Sequence, residues 1–279
     1  LTVGAAYASE VTLEAVGDPV VTYSIGKVRQ YYKITLPRPS IEVSGTLTID
    51  DGKSNTKTFN IYFNPAPLYS DTGLRAILVG GKYWSPVNVG ATSTTYSADL
   101  AGCGYVYQWG RSYIGFAPGS GSDTQGGPVT AAQASGTYAA KFITVSGTPF
   151  DWLSPQDDLL WSGDNSRGPC PAGWRVPTDV ELTVLNSKYN IANIEGAPSS
   201  IRLKIPRDSE QSFGDDLYLP AVGFRTNSTG AWANQGTNGY YWSSTVPGTS
   251  ARAFNFHASS SSIAANPRGY GISVRCIQE

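Results

Sequence analysis

The sequence holds no methionine, one histidine and three cysteines in 279 residues, and only 15% of its side chains are charged. Each shortage excludes something. One histidine cannot build a His-rich metal centre, and with neither a C-x-x-C pair nor a Cys/His cluster the ligand spacing of a zinc site is missing. A net charge of −1 leaves no dense Lys/Arg field for phosphates, so nucleic acid is not an expected partner. No apolar run approaches the roughly 20 residues of a spanning helix, so no membrane span is expected. There is no G-x-S-x-G elbow. The glycine-rich stretch from Gly119 to Gly127 lacks the Lys-Ser/Thr of a phosphate loop. The expectation is a chain without catalytic residues, cofactor or metal. Leu1 reads as a processed or trimmed start, a removed signal peptide being one origin for it.

What is abundant points elsewhere. Hydrophobic content of 40% marks a globular chain, and 31 glycines with 18 prolines predict many turns and short strands. Tyr, Trp, Ser, Thr and Asn outweigh Lys, as in extracellular binding proteins, so a secreted, cell-surface location is expected. Residues 1 to about 70 read as β. Val11–Val16 and Tyr31–Leu36 are strand-like, and Ile41–Ile49, Asp50-Asp51-Gly52-Lys53 and Thr56–Phe63 read as a hairpin, because glycine tolerates the positive φ of such a turn. About five strands in this length suggest a small β-sandwich. Asn64-Pro65-Ala66-Pro67 ends it, and the boundary is placed at 1–72 and 73–279.

The second segment is α+β with few helices. Tyr105, Tyr107 and Trp109 alternate as in a strand with one buried face. Residues 115–137 read as a long loop, and 156–161 as a helical turn. The one convincing helix begins at Thr178, with Glu181 completing a capping box and Leu182, Leu185 and Tyr189 forming a stripe. Trp84, Trp109, Trp174 and Trp242 are expected in the core. Among the cysteines, Cys170 and Cys276 are the expected disulfide pair, with three buried thiols as the alternative; Cys103 is expected to be a buried thiol. The bridge would close a loop of over a hundred residues and add about 4–5 kcal/mol.

Four motifs occur in order: Cys170-Pro171-Ala172-Gly173-Trp174-Arg175-Val176-Pro177-Thr178, Tyr218-Leu219-Pro220-Ala221-Val222-Gly223-Phe224-Arg225, Gly239-Tyr240-Tyr241-Trp242-Ser243-Ser244, and Gly271-Ile272-Ser273-Val274-Arg275-Cys276. Together they resemble the Fibrobacter succinogenes major paralogous domain, a secreted module similar to the C-type lectin-like fold, over roughly residues 77–279. The resemblance implies the same Cys170–Cys276 bridge. Residues 1–70 resemble the β-sandwich half of fimbrillin-type surface proteins of Bacteroidales, pilus tip subunits included, which implies an outer-membrane-anchored or pilus-associated protein. The calcium-dependent sugar-binding lectins of this fold carry a Glu-Pro-Asn or Gln-Pro-Asp triplet and a Trp-Asn-Asp triplet. This chain has neither, so the resemblance does not bring calcium-assisted sugar binding with it. Formylglycine-generating enzymes share the fold, but the cysteines they need have no counterpart here.

Candidate binding residues follow from loops and strand parity. Phe254 and Phe256 share one strand face, leaving Asn255 and His257 on the other. Trp232 lies in a polar stretch with no strand pattern and is read as a stacking platform. In lectin-like folds late loops and strands form the ligand face, which adds Asn234, Asn238, Arg252, Ser259, Asn266, Arg268 and Tyr270, residue types that adaptable binding surfaces use. The acid pairs Asp50/Asp51, Asp157/Asp158 and Asp215/Asp216 match no calcium loop. The expected function is that of a secreted adhesin, in its narrower form a pilus tip subunit, binding a host or microbial glycan or protein non-covalently. The alternatives are a structural pilus subunit that contacts only other subunits, or a hydrolase or formylglycine-generating-like enzyme.

Overall fold

The hairpin read around Asp51-Gly52 has its two strands: in the computed structural model Val43–Asp50 and Thr56–Phe63 pair antiparallel, from Val43↔Phe63 to Asp50↔Thr56. Thr2–Val3 joins Val43–Asp50, Thr12–Ala15 pairs with Tyr32–Thr35, and Val20–Thr22 pairs with Lys27–Arg29. These strands belong to a compact unit, Leu1–Pro65; a second unit runs from Ala66 to Glu279. The structure describes residues 66–279 apart from 70, 71, 96–98, 113, 122, 164–166, 197–200 and 209–215, and, within 1–65, the strand backbones. The expected boundary after residue 72 falls inside a small ribbon, Leu68–Tyr69 with Leu74–Arg75, so residues from Ala66 onward stand with the second unit.

The second unit is mostly β with few helices. Its largest sheet has seven strands, ordered Trp232–Ala233, Phe224–Arg225, Gly271–Ser273, Asn238–Trp242, Ser250–His257 and Ser260–Pro267, with Val106–Gln108 also paired to Gly271–Ser273. Side chains alternate across a sheet, and each face here has its own core. Tyr241, Phe254 and Phe256 lie with Leu203, Leu217 and Leu219 and with Leu182 and Leu185 of the helix Asp179–Ser187. Trp242, Ala251 and Ala253 lie on the other side with Trp109, Trp161, Trp174 and Val274. All four tryptophans read as core are buried, Trp84 included.

The helix starts where its cap predicts. Thr178 Oγ1 accepts from the Glu181 amide at 3.3 Å, while Glu181 Oε2 accepts from the Thr178 amide at 2.9 Å. Arg175 grips the same carboxylate with both Nη atoms at 2.8 and 2.6 Å. The helix ends at Ser187, so Tyr189 lies beyond it, and its hydroxyl donates to the His257 carbonyl at 3.1 Å. Residues 158–161 form a turn and not a helix.

The stretch 115–137 is more ordered than a loop. Thr124–Gly126 pairs in parallel with Phe142–Thr144, and Thr130 and Gln133 form a capping box for the short helix Ala131–Ser135. Buried Arg111 organises the region, donating to the carbonyls of Ala139 and Lys141 at 2.9 and 2.7 Å and to that of Tyr138 at 3.2 Å. Hydrophobic periodicity does not reveal such a segment, because its order comes from backbone carbonyls meeting a guanidinium.

Cys170 and Cys276 are bonded, with Cα atoms 5.9 Å apart across 106 residues of sequence, and Cys103 is a buried thiol. The bridge ties the segment leading into the helix to the last strand, Ile277–Gln278, which pairs with both Trp84 and Trp174–Arg175. Among the described residues no helix is long and apolar enough to cross a membrane. Replacing both bridged cysteines by serine is expected to remove about 4–5 kcal/mol of stability, read as a lower urea midpoint for Ala66–Glu279, while Cys103→Ala keeps the bridge and costs far less.

Candidate functional site

The strand parity that buries Trp242 carries Asn238 and Tyr240 onto the same face. Register then adds their partners: Asn238 lies opposite His257, Tyr240 opposite Asn255, and Asn255 opposite Ser262. Toward Trp242, Ala251 and Ala253 this face is covered by core. Toward the other end it opens, with His257, Ser260 and Ser262 exposed and Asn238, Tyr240 and Asn255 half-buried.

Two further rings complete the patch. Phe224 meets Tyr240 edge-on at 5.0 Å between centroids and Tyr270 at 4.7 Å with a 45° tilt. All three are half-buried against the core below. Asn234 and Asn238 both donate through Nδ2 to Tyr240 Oη, at 3.0 and 3.2 Å. The backbone holds the amides in place. Gly223, at φ +75°, allows this: a Cβ there would lie 2.3 Å from the Ala233 carbonyl oxygen, so only glycine lets the two strands approach. The Gly223 amide donates to the Asn238 carbonyl, and the Thr237 and Asn238 amides donate to that of Asn234.

Of the residues expected in the site, Asn234, Asn238, Asn255 and Tyr270 come together, with His257 and Ser259 at one corner. Four others do not join them. Trp232 pairs with Arg225 on the opposite face, half-buried against the cluster of Val106, Phe116 and Phe142, and its indole N–H donates to the Ser120 carbonyl at 2.7 Å. It is no open platform. Arg252 shares strand parity with Phe254 and Phe256, so it points to the helix side. Asn266 is on the right face but buried at its inner end, donating to the Ala264 carbonyl. Arg268 is 1% exposed and is fully occupied by structure. It donates to Asp158 Oδ1 at 2.5 Å and to the Gly248 carbonyl at 2.6 Å, lies 3.5 Å from Asp151, and stacks 4.8 Å from the Trp109 ring. Burial pushes the Asp151 carboxyl above its ordinary range despite this cation.

Sequence reading missed Phe224 and Tyr240 as site members. Period-two parity from Asn238 would have found Tyr240. Phe224 is set by a contact between strands that are not neighbours in sequence, and left no local signal.

His257 sits at the start of the two-residue turn of the closing hairpin. The Ser259 amide donates to its Nδ1 at 3.3 Å, so in the neutral ring the proton belongs on Nε2, which meets Ser260 Oγ at 2.7 Å. That tautomer donates to Ser260 and leaves Nδ1 as an acceptor, with Ser259 Oγ 3.1 Å from it. A concavity of about 530 Å³ lies elsewhere, beside Leu159, Trp161 and Val246; the ionic groups on it, Asp158 and Arg175, are held by Arg268 and Glu181. Of the acid pairs, Asp216 pairs with Lys204 at 3.2 Å, while Asp51 and Asp215 lie outside the described residues. Among the described residues no three His, Cys, Asp or Glu side chains converge as metal ligands.

Compared with protein-family models, residues 79–278 match the Fibrobacter succinogenes major domain. No curated protein and no solved structure matches the chain.

Arg268→Met is expected to lower stability by about 3–5 kcal/mol, since it strands the Asp151 carboxylate in the interior. A folded-state pKa above the unfolded one favours the protonated folded protein, so the deficit shrinks as pH falls through the raised Asp151 value. Urea unfolding of both proteins across acid pH checks this; a deficit that does not shrink at low pH counts against the assignment.

Proposed function

The chain belongs to the Fibrobacter succinogenes major domain family, and from that premise we propose that it is a secreted cell-surface protein that binds a ligand non-covalently through the face of Phe224, Asn234, Asn238, Tyr240, Asn255 and Tyr270. The second unit is read as a C-type lectin-like domain and the first as a small fimbrillin-like β-sandwich. In that reading the protein is an adhesin, and in its narrower form a pilus tip subunit. The disulfide supports an oxidising, extracellular setting.

One observation carries the reading. Three half-exposed aromatic rings and two amides are locked to one another before any ligand arrives, the amides through Tyr240 and the rings through Phe224. Groups fixed in advance lose little entropy on binding, which is how a small surface reaches useful affinity. A solvated strand face with no partner has no need of half-exposed rings, which cost stability where they meet water.

Fluorescently labelled protein applied to arrays of glycans and of extracellular-matrix proteins is expected to find a binder. Tyr240→Ala should weaken that signal about tenfold or more, the loss of roughly 1.4 kcal/mol, while Arg252→Ala, on the helix side, leaves it unchanged. A binder insensitive to Tyr240→Ala, or equally lost with Arg252→Ala, would sink the assignment of this face.

A further inference from the structure

We infer that this face takes an uncharged carbohydrate, an inference that rests on the binding role proposed above. Its hydrogen-bonding inventory is the first reason. Tyr240 Oη already accepts from Asn234 and Asn238, so both of its lone pairs are used and its own proton is left to donate outward. The side-chain oxygens of those two amides accept no bond from the described residues, and Asn234 is exposed and Asn238 half-buried. Asn255, opposite Tyr240, has an Oδ1 that is enclosed and without a hydrogen-bond partner among the described residues, so it is not one of the open acceptors. A phenolic donor flanked by amide acceptors complements vicinal hydroxyls, each of which both gives and accepts.

Charge is the second reason. Phe224, Asn234, Asn238, Tyr240, Asn255 and Tyr270 include no acid and no base; His257 stands at one corner of the face, and the arginines of the neighbouring strand positions are turned away. Arg225 is buried on the opposite face against Phe142 and Phe116, Arg252 points to the helix side, and Arg268 is enclosed by Asp151 and Asp158. Away from that corner an ionic ligand would lose water without gaining a counter-charge.

The rings give the third. Phe224, Tyr240 and Tyr270 stand at angles of 66° and 45° to one another, so they offer short, separate stretches of π-surface and not one broad plane. The negative ring face attracts C–H edges of positive character, and a pyranose presents such patches between its hydroxyls. A protein partner needs more. Stable protein interfaces bury about 1,600 Å² around large apolar anchors. The large hydrophobics exposed among the described residues are Leu68, Leu159, Val180 and Ile191, and none is on these strands.

The test is titration calorimetry with neutral oligosaccharides chosen from the glycan array, beside sialylated and sulfated ones. Neutral sugars are expected to bind with an affinity that hardly changes from low to high salt. Tyr240→Phe, which keeps the ring and removes both the outward donor and the oxygen that holds the two amides, should weaken them about three- to tenfold in a protein that still unfolds cooperatively, with Arg252→Ala as the unaffected control. An array with no neutral glycan bound, binding confined to anionic sugars, or an affinity falling steeply with salt overturns the carbohydrate inference. A protein ligand lost with Tyr240→Phe also overturns it, yet leaves the face as a binding surface. A ligand of any kind that ignores Tyr240→Ala overturns both.

Discussion

The guanidinium of Arg275 is buried with no carboxylate of the described residues against it. It donates instead to the Asn88 side chain and the Ser85 carbonyl at 3.0 Å each, and to the Tyr218 carbonyl at 2.7 Å. Burial lowers its pKa, a sign of how costly the charge is in this position. The cost is offset only when three separate segments are in place: the turn after Trp84, the strand Leu217–Pro220, and the end of the chain itself. Cys276, the next residue, hydrogen-bonds to Ser85 through its amide and carbonyl and carries the disulfide. The last residues therefore act as a clasp, and the sheet that bears the candidate site is held from that end.

The same device recurs. Arg111, Arg225 and Arg268 are buried like Arg275, and each spends its N–H groups largely on loop carbonyls while its flat face meets an aromatic ring. A chain with few helices and many turns has a large number of backbone carbonyls that no ladder satisfies, and each would cost about 1–3 kcal/mol if buried unpaired. Arginine supplies five donors in a planar fork and reaches several such carbonyls at once. Loops are in this way ordered from inside, which lets Tyr240, Phe224 and the two amides sit on a rigid base.

Local signals in the sequence told the truth about local structure. The capping box at Thr178 and Glu181, the Asp-Gly hairpin, the tryptophan core and the Cys170–Cys276 pair were all legible, because each depends on a few neighbouring residues or on a motif order shared by a family. For the candidate face, sequence reading reached Asn255 and His257 by parity along one strand, and Asn234, Asn238 and Tyr270 by their place in the late loops and strands. It failed for arginine and tryptophan. Arg268 and Trp232 look in sequence like groups offered to a ligand, and whether such a side chain turns inward depends on acceptors such as Asp158, Gly248 and Ser120, up to 112 positions away. Charge and size do not specify exposure; the distribution of unmet acceptors does.

The disulfide has a mechanical meaning as well as a thermodynamic one. Tension applied between Ala66 and Glu279 would pass along the chain to Cys170, cross the S–S bond, and leave through the last three residues. Everything between the two cysteines, including every residue of the candidate face, lies off the load path. Stretched between those two points, the chain could extend over residues 66–169, while the closed covalent loop that carries the candidate face would not itself be drawn straight.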